Sequence, residues 1–276
     1  MPSVTPTLEL IIFGVGVVAG GLGSLLGLAG GIFLVPFFTL ALKFPFPTAA
    51  AISLCTVIAT SSSVSAARSG KHLINLRLGM LLEVATAAGS LLGGITAQFL
   101  APAVLQKLFG VTTGFIALTM VTRLNRRNVI LDPSVSTGVL GGRYYEDESG
   151  CVVSYRVKRL PLAMTALFLA GNVSSLLGIG GGVIKVPVLN AWCGVPLRAS
   201  AATSAFMIGV TATAGAVIYY GRGQLVPSLA AAAVLGVQLG SAGALRVGSR
   251  VSARWLKVLM AILLAIVAIL MFAKPR

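Results

Sequence analysis

Ser24 to Pro36 reads SLLGLAGGIFLVP, and Ser175 to Pro187 reads SLLGIGGGVIKVP, a pair of glycine clusters set in otherwise apolar sequence. Gly27, Gly30 and Gly31 form the first cluster, and Gly178, Gly180, Gly181 and Gly182 the second; Pro36 and Pro187 close them. Glycine lets the chain leave a helix and lets a ligand approach the backbone. A helix that breaks inside lipid frees N–H and C=O groups, which must then be satisfied by protein, water or cargo. The next half-helix would present N–H donors and a partial positive charge, which suits an anion. Gly30, Gly31, Gly180, Gly181 and Gly182 are therefore candidate binding positions, and Gly27, Pro36, Gly178 and Pro187 the structural breaks. Tight helix packing is the plainer use of membrane glycines.

Lys185 lies three residues past Gly182, deep in an apolar piece. Inserting such a charge costs about 2.5–3.5 kcal/mol, so it marks function unless it snorkels to the interface. Ser53, Thr203 and Ser204 follow small-residue runs and could complete an anion cage, or simply bond a carbonyl one turn back. Glu83 is a proton-coupling candidate; the plainer reading is an interfacial carboxylate near Arg77. Gln98 and Gln238 are weaker candidates for a polar path. Paired, Gly-interrupted short segments of this kind point to a transporter site.

The two clusters lie 151 residues apart, and the same offset joins Pro45 to Pro196, Ala50 to Ala201, Ser53 to Ser204, Gly70 to Gly221 and Gly89 to Gly240. One register held through Gly, Pro and Ser positions indicates a tandem duplication. Each copy contains five apolar pieces, roughly 8–28, 31–42, 47–67, 78–100 and 103–122, then 160–179, 182–193, 199–220, 225–246 and 254–273. As one straight helix, 8–42 would be about 52 Å long, against a hydrocarbon core of about 30 Å. It must break, and the glycines are the natural place. The expected organisation is a first membrane repeat (1–122), a cytoplasmic linker (123–159) and a second membrane repeat (160–276). Two β-prone runs around Ser149-Gly150 suggest a small hairpin in the linker, with an ordinary connector as the alternative.

Composition agrees. Of 276 residues 57% are hydrophobic and 10% charged, with mean hydropathy +0.98. A soluble domain has about a quarter charged residues. The expected fold is an all-α polytopic membrane protein of two homologous repeats with Gly-broken helices at the centre. The net charge of +15 comes from 21 basic and 6 acidic residues, most of the basic ones between apolar pieces, where they set orientation and meet lipid headgroups. If the short pieces complete a crossing, basic residues concentrate on the linker side, so the positive-inside rule favours an inverted repeat with both termini outside. The alternative is a parallel repeat whose short pieces re-enter.

No nucleic-acid motif accompanies the charge. Cys55, Cys151 and Cys193 lack the spacing of a metal or disulfide framework, so no metal or cofactor is expected. With one histidine, His72, and no HExxH or GxSxG, an enzyme is not expected. The glycine runs lack the Lys-Ser/Thr of a nucleotide loop, so uphill transport would draw on an ion gradient. Met1 to Leu8 has no basic residue ahead of the apolar run, which argues against a cleaved signal peptide.

At the doubled S-L-L-G-[IL]-[AG]-G-G-x-x-x-V-P, each followed by A-A-x-S at Ala50 to Ser53 and Ala201 to Ser204, the chain resembles the TauE/SafE-type sulfite exporter family. GGRYY from Gly141 and RLPLA from Arg159 extend the resemblance over essentially the whole chain. It implies a multi-pass inner-membrane carrier exporting sulfite, sulfoacetate or another organosulfonate, driven by the proton gradient. A homodimer is compatible with it. The first copy has Ala29 where the second has Gly180, and Leu34 where it has Lys185, so the second copy carries more weight. A passive anion channel and a non-transporting scaffold or sensor remain as alternatives.

Overall fold

The computed structural model describes residues 5–26, 30–69, 73–122, 138–146, 151–247 and 253–273. Each apolar piece becomes a helix: α1 (Pro6–Leu26), α2 (Gly31–Pro36), α3 (Phe46–Ser69), α4 (Leu76–Thr96), α5 (Pro102–Thr122), α6 (Leu160–Leu177), α7 (Gly182–Pro187), α8 (Leu197–Gly221), α9 (Pro227–Val247) and α10 (Ala253–Ala273). Among the described residues, α1, α3, α4, α6, α8 and α9 are long and apolar enough to cross a membrane. Leu10, Phe99, Phe115, Leu169, Leu235 and Ile269 are exposed around the outside, as a lipid-facing surface requires. The protein is an all-α, multi-pass membrane protein.

The helices are interrupted where the glycines fall. α1 stops at Leu26 and α2 starts at Gly31; α6 stops at Leu177 and α7 starts at Gly182. Gly27 and Ala29 lie outside the described residues. α2 and α7 each run into a π-helical turn, Phe37–Ala41 and Val188–Trp192. The turns follow Pro36 and Pro187, which lack an N–H and crowd the preceding carbonyls. The next bonds reach five residues back, from Leu42 N to Phe37 O and from Cys193 N to Val188 O, both 3.2 Å. From Gly31 to Ala41 a regular helix would rise only about 16 Å, well short of the hydrocarbon core.

The offset of 151 separates the first residues of α2 and α7, α3 and α8, α4 and α9, and α5 and α10. The packing pairs exchange in the same way. α1 lies on α9 and α6 lies on α4, while α3 meets α8 and α5 meets α10. The two outer pairs approach closely through small residues. A Cβ on Gly16 would sit 2.9 Å from Ala233 O, and one on Gly171 would sit 2.9 Å from the Thr86 carbonyl carbon.

Gly142–Glu146 (β1) and Cys151–Tyr155 (β2) form an antiparallel hairpin, with Tyr144 opposite Val153. Residues 147–150, including the expected Ser149-Gly150 turn, lie outside the described residues. The hairpin is more than a solvated connector. Tyr144, Val153 and Tyr155 are buried with Leu78 and Leu82 of α4, Ala163 and Leu167 of α6, and Val188, Leu189 and Met207. It caps the bundle end at which α4 and α8 begin.

Candidate functional site

The two breaks meet. A Cβ on Gly31 would lie 2.9 Å from Gly178 O and 2.7 Å from Val57 Cγ2, so only glycine fits there. Ser53 on α3 donates to Gly178 O at 2.6 Å, satisfying a carbonyl that the broken helix leaves without a partner. Gly178, Gly180 and Gly181 have φ of 72°, 78° and 67°. That left-handed backbone is what allows α6 to stop and α7 to set off on a new course. Gly181 O then accepts from Lys185 N at 3.2 Å, placing Lys185 one turn into α7.

Lys185 does not snorkel. It is 0% exposed, and its Nζ lies 3.3 Å from Glu83 Oε2 on α4. The second oxygen, Glu83 Oε1, is bonded to Thr211 Oγ1 on α8, and that hydroxyl also accepts from Lys185 Nζ. The interfacial reading of Glu83 is thereby corrected. Its side chain is buried against Lys185, while Arg77 at the start of the same helix is exposed. Charges removed from water need a partner and hydrogen bonds on their remaining valences, and the three side chains supply these to one another. Residues at the offset of 151 are Leu34 for Lys185, Thr60 for Thr211 and Val234 for Glu83. The charged cluster thus has no charged counterpart at the matching positions.

The remaining candidates separate. Thr203 accepts from Asn75 N at 3.0 Å, and Asn75 Oδ1 accepts from Leu78 N at 3.1 Å, so this hydroxyl holds the start of α4. Ser204 is fully buried, and its Oγ, like those of Ser174 and Ser175 on the last turn of α6, has no partner among the described residues. A Cβ on Gly181 would lie 3.1 Å from Ser174 Oγ, so this free hydroxyl borders the break. Gly30, Gly31, Pro36, Gly180 and Gly182 line the breaks through backbone rather than side chain. Gln98 forms an amide pair with Gln224, and Gln238 accepts from Ser63.

Thr211, Ser174, Ser175 and Ser90 were not singled out from sequence. Ser90 on α4 donates to Thr211 O at 2.7 Å, and Tyr219 OH to Ser175 O on α6 at 3.1 Å, continuing a polar seam along α8. Thr211, Gly215 and Tyr219 recur every fourth residue on α8, a stripe that faces α4 and α6 and could have been read.

Comparison with known proteins agrees with this architecture. "Probable membrane transporter protein YunE" of Bacillus subtilis (strain 168) is 24% identical over 265 residues, 94% of this chain and 95% of its own length. "Probable membrane transporter protein MJ0441" of Methanocaldococcus jannaschii is 24% identical over 284 residues, 96% of this chain and 95% of its own. "Sulfite exporter TauE/SafE family protein 6" of Arabidopsis thaliana is 37% identical over 73 residues, 26% of this chain and 17% of its own. No solved structure matches. The family model described as sulfite exporter TauE/SafE matches residues 12–271, and the chain belongs to that family of membrane transporters.

Proposed function

We propose that the protein is a secondary transporter of a small sulfur-containing anion, such as sulfite, sulfoacetate or another organosulfonate, with its movement coupled to that of protons. The observation that carries this reading is Lys185, wholly buried one turn beyond the second glycine break, with Thr211 beside it, whose hydroxyl donates to a carboxylate oxygen. A cation and a hydroxyl held in a dry interior bind a small oxyanion far more strongly than in water. Backbone N–H groups of the broken segments and the unpartnered hydroxyls of Ser174 and Ser204 would serve the remaining oxygens. The family and the names of its members support the substrate class.

Because Lys185 is closed off from solvent here, cargo reaches it only if the halves move. Rocking of one half against the other about the meeting point of Gly31 and Gly178 would open the cluster to each side in turn. No step requires covalent chemistry, so the protein acts as a carrier and not as an enzyme.

Thermal unfolding of the purified protein against sulfite, thiosulfate, sulfoacetate, methanesulfonate, acetate and chloride tests the reading. A sulfur oxyanion should raise the midpoint, and Lys185→Met should abolish the rise. A folded protein that responds to none of the sulfur anions overturns it.

A further inference from the structure

The Glu83 carboxylate occupies the place an oxyanion would take. One oxygen faces Lys185 Nζ and the other Thr211 Oγ1, so the two strongest donors of the cluster are already engaged by an internal anion. Thr211 Oγ1 has a single proton. With Lys185 donating to it, that proton goes to Glu83 Oε1 or to Met207 O, which lies 3.0 Å away. A free oxyanion has the same need, two oxygens on one ammonium and one hydroxyl. The two cannot be held at once.

We propose that Glu83 is a tethered stand-in for the cargo, and that the cargo displaces it only as its carboxylate takes up a proton. The inference rests on the anion site proposed above and assigns its coupling. Lys185 and an ionised Glu83 sum to zero charge. An entering monovalent anion would leave a net negative charge in a dry interior, a state whose desolvation cost is prohibitive. Protonating Glu83 restores neutrality. The proton comes from the solvent that admits the anion, forms an O–H bond on the carboxyl, and leaves when the carboxylate reclaims Lys185. Anion and proton therefore move together. Once the cargo is bound, Thr211 is free to donate to it or to Met207 O.

Glu83 has one ion-pair partner among the described residues. Lys185 is the charged partner from α7. α6 has no titratable side chain, and α8 brings Thr211 and, two turns on, Tyr219, which is bonded to Ser175 O. Tyr144, Tyr155 and Cys193 belong to the apolar cluster that Leu82 shares, and Tyr155 is bonded to Asn75. Arg77 at the start of α4 is exposed.

The test is calorimetric titration of the intact protein with methanesulfonate and with 2-hydroxyethanesulfonate, both monovalent and ionised throughout. Repeating it in buffers of different ionisation enthalpy counts protons. The expected result is uptake of about one proton per anion, with affinity falling about tenfold per pH unit where Glu83 starts ionised. Glu83→Gln should bind with no proton uptake and a flat pH profile. Anion binding by wild type without proton uptake overturns the displacement but leaves the anion site standing, as does a Glu83→Gln protein with the wild-type pH slope. Binding of neither anion, with folding shown by the thermal transition, removes both.

Discussion

Ser53 Oγ donates to Gly178 O at 2.6 Å, so a hydroxyl of α3 closes the break between α6 and α7. Ser53→Ala leaves that carbonyl buried without a partner, a cost of about 1–3 kcal/mol. Thermal unfolding in detergent should show a lowered midpoint, and added anion should recover part of the loss. An unchanged midpoint would mean that the contact contributes nothing.

Gly31 has no room for a side chain. In Gly31→Ala the new Cβ meets Gly178 O and Val57, so the two breaks must be pushed apart at a cost of about 1–3 kcal/mol. The variant should insert and fold yet lose most of its flux, as measured in proteoliposomes. Gly221, with open space around it, is the control: Gly221→Ala should transport normally.

Thr211 separates hydroxyl from shape. Thr211→Val keeps the volume but removes the group that links Lys185 to Glu83, and anion affinity should fall about tenfold. Thr211→Ser should retain most of it. Equal affinities for the Val and Ser variants would exclude the hydroxyl from binding.

Asn75 ties the hairpin to the bundle. Its side chain caps α4 and donates to Leu140 O at 2.8 Å and to Tyr155 OH at 3.1 Å. Asn75→Ala should cost about 1 kcal/mol through the cap alone and speed proteolysis within the hairpin. Burial pushes the Tyr155 phenol above its ordinary pKa, partly offset by the Asn75 hydrogen bond. The folded state therefore holds its proton longer than the unfolded state. Its contribution is complete below about pH 10 and is lost as pH rises further, which protease susceptibility across alkaline pH would follow.

How far the sequence reached depends on the kind of physics involved. The helices and their breaks were legible because both are local. Apolar runs of lipid length leave little choice of structure, and glycines at a fixed offset mark where the run stops. Lys185 stood out for the same reason, as a charge in the wrong surroundings. Its partner did not. Glu83 is 102 positions away in the chain, and only the packing of α4 beside α7 and α8 brings it to Lys185. Thr211 gave no local signal, being one hydroxyl among many in small-residue helices. Nor does the sequence show that Thr203 receives the Asn75 N–H, 128 positions away. The docking of the hairpin, likewise, rests on contacts with four separate elements.

In the proposed function Lys185, one turn past the second break, carries an anion through the membrane. Counterflow of isotopically labelled sulfite into proteoliposomes preloaded with unlabelled sulfite tests it most directly, because exchange needs no assumed driving force. The account predicts accumulation with wild-type protein and background uptake with Lys185→Met that is shown to be folded. Undiminished exchange by the methionine variant would contradict it.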